Sequence, residues 1–119
     1  MSKVVRLSTL AVAAFVVLLA AGVSSGALAA DKKERARAER ALREGEFAEA
    51  EKIYRGLVEK DLKDLPARLG LSYAQFKQRN LRDAYDNAAR ALAIDATSAR
   101  AHALLGSALL ASGDFPLSV

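Results

Sequence analysis

After residue 30, apolar side chains recur every three or four positions, the spacing that places them on one face of an α-helix. Leu69, Tyr73 and Phe76, for example, fall at i, i+4 and i+7. The alternation of apolar and polar residues that is typical of strands is missing there, and Val and Ile are scarce. The pattern therefore predicts five helices, near residues 32–44, 47–61, 65–78, 81–94 and 99–112.

Helix boundaries are marked by capping residues. Asp64 precedes Leu65-Pro66, and an aspartate N-cap followed by proline in the first turn is a common helix start. Asn80, Asp114 and the pair Thr97-Ser98 are further N-cap candidates. Because only two to four residues separate the predicted helices, neighbours are expected to be antiparallel and to form stacked helical hairpins.

The chain also matches itself when it is shifted by 34 positions, the signature of a repeat architecture. Phe47, Leu81 and Phe115 fall in register. Large apolar residues align with large ones and small with small, as in the sets Leu42, Phe76 and Leu110, and Ala38, Ser72 and Gly106. We therefore predict an all-α fold, an α-solenoid of antiparallel helical hairpins with a 34-residue period. Its units cover about 31–64, 65–98 and, in part, 99–119.

A 34-residue helix–turn–helix unit resembles the tetratricopeptide repeat. Residues 45–50 (GEFAEA) are similar to the family's glycine–x–aromatic–x–x–alanine opening of the second helix, and Leu105-Gly106 to its Leu-Gly pair. The turn at residues 112–115 matches that opening again. The first predicted helix departs from the pattern, because Glu34 and Arg37 stand where the family has large apolar residues.

The resemblance implies a partner-binding groove lined by the first helix of each unit. Its key residues would be Lys32, Arg35, Arg43, Leu69, Tyr73, Lys77 and Arg100. The cationic side chains favour an acidic protein or peptide ligand. Arg35 and Glu39 differ from the lysine and asparagine of the family's carboxylate clamp, which argues against a C-terminal carboxylate as the ligand. Arg35 is also expected to pair one turn away, with Asp31 or Glu39.

The first 29 residues are interpreted as a secretory signal peptide. Lys3 and Arg6 precede a run without charges, and residues 27–29 (Ala-Leu-Ala) provide the small-x-small exit of a signal peptidase site. The alternative is an uncleaved membrane anchor, because residues 7–30 are uncharged and long enough to span a bilayer. The mature array, 30–119, is accordingly expected to be periplasmic or extracellular, with membrane contact only through an uncleaved signal segment.

Composition narrows the function further. Setting aside Lys3 and Arg6 leaves 16 basic and 14 acidic side chains, a balance that argues against a nucleic-acid binder. No cysteine is present, and the single histidine, His102, has no second histidine with which to bind a metal. The seven glycines are dispersed rather than gathered in a phosphate loop. We expect no catalytic, cofactor-binding or metal residues, and hence a non-enzymatic scaffold or adaptor.

The end of the sequence leaves alternatives open. Phe115-Pro116 resembles the start of a helix, but Val119 follows three residues later. The chain is therefore interpreted as a piece of a longer protein, and the alternative function is the N-terminal repeat segment of an exported enzyme. A further possibility is self-association through an open C-terminal end of the array.

Cleavage at the predicted site is testable by intact mass. Protein recovered from the export compartment is expected to begin at Ala30, because the peptidase cuts after the small residue Ala29. A mass that includes residues 1–29 would contradict the signal-peptide interpretation and favour the anchor.

Overall fold

The computed structural model describes residues 28–113 of the chain, which contain five helices and no strand. The predicted helices are all present, and the bounds of the last four lie within one residue of the predicted ones. The helices are α1 (28–43), α2 (Phe47–Lys60), α3 (Leu65–Lys77), α4 (Leu81–Ile94) and α5 (Ala99–Ser112). None of these helices combines the length and hydropathy needed to cross a bilayer.

The chain divides into one unit that ends at Lys33 and a second that begins at Glu34. In the first unit, residues 28–33 are helical and most of their side chains are exposed. Most of the predicted signal peptide and the predicted helix start at Phe115-Pro116 lie outside the described residues. The packing described below is that of the second unit.

Capping explains where the helices begin. The Asp64 carboxylate accepts a hydrogen bond from the backbone N–H of Ala67 (3.1 Å), and Ser98 Oγ accepts one from Ala101 (3.2 Å), as predicted. Asn80 differs from the prediction, because its side chain makes no capping bond to the backbone and Nδ2 donates to Asp83 instead (2.8 Å).

The turns after α1, α3 and α5 each contain one residue in the left-handed conformation. Gly45 and Gly113 adopt φ values of 77° and 76°, which cost glycine little. Arg79 adopts the same conformation, with φ 66°, although it carries a side chain. Gly45 and Arg79 thus lie in the turns that join α1 to α2 and α3 to α4, each two residues beyond a helix end.

The core is built largely from alanine, so the helices approach one another closely. One cluster joins α1, α2 and α3, and a second joins α3, α4 and α5. Buried alanines with at most 1% of their surface exposed come from all five helices: Ala38, Ala50, Ala67, Ala74, Ala84, Ala88, Ala91, Ala101 and Ala108. Consecutive helices pack together, and the backbone of α3 also approaches that of α5, whereas the backbones of α2 and α4 stay apart.

The closest approach in the described chain that depends on a glycine is between Tyr54 of α2 and Gly70 of α3. Tyr54 is only 4% exposed, and its ring lies directly over the α-carbon of Gly70. A Cβ at residue 70 would lie 2.6 Å from both Cε1 and Cε2 of that ring, well inside van der Waals contact. The absent side chain at Gly70 therefore allows an aromatic ring to fit between the two helices.

Buried polar groups connect α3 to α4. Ser72 Oγ donates to the backbone carbonyl of Ala84 (2.7 Å), in a site where neither group meets water. Asn87 Nδ2 donates to Gln75 Oε1 (2.7 Å) and Asn87 Oδ1 accepts from Arg68 Nη1 (3.0 Å). Burial lowers the pKa of the Arg68 guanidinium, and the nearby Arg90 charge adds to this effect. Such buried hydrogen bonds fix the contact between helices more specifically than apolar packing alone.

Substitution of Gly70 tests the Tyr54 contact. Gly70→Ala is expected to lower the free energy of unfolding by about 1–3 kcal/mol, because the ring must leave its position in the core. Urea denaturation followed by circular dichroism measures this change.

Gly56→Ala is the matched control, since that glycine is also helical and has no atom near the added Cβ. It is expected to raise the stability by about 0.5–1 kcal/mol, the usual helical advantage of alanine. Equal effects of the two substitutions would show that Tyr54 does not depend on Gly70.

Candidate functional site

A cleft of about 460 Å³ opens where α1, α3 and the start of α5 come together, and we call it the cleft throughout. Its walls combine cationic, aromatic and apolar side chains. They are Arg35, Glu39, Leu42, Arg43, Tyr54, Pro66, Gly70, Tyr73 and Arg100.

The predicted groove residues are distributed unevenly around this cleft. Arg35, Arg43, Tyr73 and Arg100 line it. Leu69 does not, because it is 7% exposed and lies in the core cluster of α3, α4 and α5. Lys77 and Lys32 are likewise not among the lining residues, and Lys32 belongs to the unit that ends at Lys33.

Arg35 makes its ion pair with a residue distant in sequence. Its Nη2 and Nη1 donate to the two carboxylate oxygens of Asp64, at 2.5 and 3.2 Å. The hydrogen bond to this carboxylate is the main reason why the pKa of Arg35 is raised. Asp64 also caps α3. The same carboxylate therefore stabilises the first turn of that helix and neutralises one cation of the cleft.

Tyr54 is a cleft residue that sequence analysis missed. It belongs to the apolar face of α2, but its contact with Gly70 places the phenol end of the ring at the cleft wall. Burial, followed by the charge of Glu39, raises the pKa of Tyr54, while Arg100, Arg35 and Arg43 oppose that shift. The hydroxyl therefore stays protonated at neutral pH and can donate a hydrogen bond. The sequence offered no distinctive signal, because Gly56 and Gly106 also lie inside helices and approach no other element.

Tyr73 forms the aromatic side of the cleft. Its ring meets that of Phe47 edge to face, with centroids 6.2 Å apart and planes at 76°. Lys77 Nζ lies 5.7 Å from the Tyr73 centroid, a cation–π distance. The ring is thus held from two sides while it remains partly exposed to the cleft.

Comparison of the sequence with known proteins assigns no family to the chain. No protein-family model matches it, and no curated protein matches it significantly.

His102 is exposed, and its Nε2 lies 2.9 Å from the backbone oxygen of Ala96. Within residues 28–113, no three histidine or acidic side chains converge as metal ligands. The chemistry that the cleft offers is the recognition of an anionic or aromatic group.

The double role of Asp64 can be separated by two substitutions. Asp64→Ala is expected to lower the free energy of unfolding by about 1–2 kcal/mol, because α3 loses its N-cap. Asp64→Asn keeps a capping oxygen and removes only a partly exposed ion pair, so its cost is expected to be about 0–1 kcal/mol. Urea denaturation measures both, and an equal loss in the two variants would contradict the capping role.

Proposed function

We propose that this protein is an exported, non-catalytic interaction module of the tetratricopeptide-repeat type. It binds an extended peptide segment of another protein in the cleft. The observation that carries the proposal is the convergence of Arg35, Arg43, Tyr73 and Arg100, from three helices, on one concave site.

The spacing of structural features supports a repeat of 34 residues. The helices α2 and α4 begin at Phe47 and Leu81, and α3 and α5 begin at Leu65 and Ala99. The left-handed turn residues, at positions 45, 79 and 113, have the same separation. A turn conformation that recurs at this interval even where glycine is replaced by arginine favours an α-solenoid of helical hairpins.

The arrangement of the helices supports a groove on one side of this solenoid. The backbones of α3 and α5 approach each other, whereas those of α2 and α4 do not, which favours a common layer for α3 and α5. The cleft is formed on this layer and on α1. Concave surfaces of this kind are where stacked helical repeats bind their partners.

The polar and aromatic composition of the cleft favours a protein ligand. Tyrosine and arginine are enriched at the energetically important positions of protein interfaces. In the cleft the two tyrosines are held in place by neighbouring groups, so that little side-chain entropy is lost when a ligand binds.

Photo-crosslinking in the export compartment tests this function. A photoreactive residue in place of Tyr73 is expected to capture a partner polypeptide, because that ring faces the cleft. Mass spectrometry then identifies what is captured.

The matched control places the same photoreactive residue at Glu59, which is exposed on α2 and does not line the cleft. No capture of that partner is expected there. Identical capture at both positions would exclude binding in the cleft.

A further inference from the structure

The hydroxyl group of Tyr54 can donate a hydrogen bond, but it has no acceptor among the described residues. The residue is 96% buried, yet no hydrogen bond joins its hydroxyl to any described residue. Among the described side chains, the only fully enclosed polar atom without a partner is Nε of Arg68. The Tyr54 oxygen therefore still meets the solvent of the cleft, where it can bind a ligand.

Two cations that line the same cleft have no ion-pair partner among the described residues. Arg43 and Arg100 line the cleft, and neither makes an ion pair with any residue between 28 and 113. Arg35 differs from them, since Asp64 neutralises it. Both guanidinium groups line the same cleft as Tyr54, and their charges oppose the rise in the pKa of its phenol.

We propose that the cleft contains a carboxylate subsite, in which an aspartate or glutamate side chain of the bound peptide lies between Arg43 and Arg100 and accepts a hydrogen bond from Tyr54. This inference rests on the proposed function, since it names the group that the groove selects. A carboxylate fits because it accepts only, whereas all three groups donate. The apolar neighbours Leu42 and Pro66 then contact the peptide residues beside the acid.

Glu39 occupies the same cleft and competes with the ligand. Its carboxylate makes no ion pair with a described residue, although it lies near enough to Tyr54 to raise the pKa of the phenol. An acidic ligand must bind against this negative charge. Removal of the Glu39 charge is therefore expected to strengthen binding. A substitution that merely disrupted the cleft would weaken binding instead.

A phage library of random linear peptides tests the subsite. The peptides are fused through their C-termini, so any selected carboxylate comes from a side chain. Peptides enriched on the full chain are expected to carry Asp or Glu at one fixed position. Replacing that residue by Asn or Gln in a synthetic, C-terminally amidated peptide is expected to weaken binding about 10- to 100-fold.

Variants of the protein assign the subsite to its residues. Arg43→Gln and Arg100→Gln are each expected to weaken the selected peptide about tenfold, and Tyr54→Phe about threefold to tenfold. Tyr54→Phe keeps the ring over Gly70, so folding is expected to persist. Glu39→Gln is expected to strengthen binding about threefold. Arg90→Gln is the control, because it makes the same change of charge at an exposed residue of α4 that does not line the cleft. It is expected to leave the affinity for the peptide unchanged.

The outcomes separate this inference from the proposed function. Selected peptides that bind through Tyr73 but carry no fixed acid would overturn the carboxylate subsite and leave the interaction module standing. Peptides whose binding ignores Tyr73→Ala, or a selection that enriches none, would overturn both. The double variant Arg43→Gln/Arg100→Gln gives a further check. If replacing the fixed acid weakens binding by the same factor in this variant as in the wild type, the subsite is overturned as well.

Discussion

The contact between the Tyr54 ring and the bare α-carbon of Gly70 connects the core of this protein to its surface. On one side, the ring completes the packing of α1, α2 and α3. On the other, the same ring forms part of the cleft wall and carries its hydroxyl there. A side chain at residue 70 would displace the ring, so helix packing and cleft shape depend on one missing Cβ.

The core and the cleft share two aromatic side chains. Most of the buried apolar residues are alanines, which occupy little space between the helices. Tyr54 and Tyr73 each pack against a core cluster and also line the cleft. The same two rings therefore contribute to helix packing and to the cleft wall.

The distribution of charge in the cleft depends on one ion pair. Three arginines line the cleft, but Asp64 neutralises Arg35 and at the same time caps α3. Arg43 and Arg100 make no ion pair with a described residue, and Glu39 lines the same cleft. Under the proposal made above, these two cations attract an acidic ligand and Glu39 competes with it.

Helices and caps could be read from the sequence because they depend on contacts between near neighbours. The apolar spacing located α2 to α5 within one residue, and Asp64 and Ser98 cap helices as expected. Arg35, Arg43, Tyr73 and Arg100 were expected in a groove because the resemblance to the tetratricopeptide repeat implies one, but their convergence on one cleft required the packed helices.

What the tertiary structure decided is which distant groups meet. One-turn spacing suggested Asp31 or Glu39 as the partner of Arg35, but the packed helices bring Asp64, 29 residues away, to its guanidinium. Leu69 was expected in the groove but lies in the core cluster of α3, α4 and α5, whereas Tyr54, which is also buried, has its ring at the cleft wall. Periodicity fixes the face of a helix on which a side chain lies, whereas its partner depends on how closely and at what point the next helix crosses.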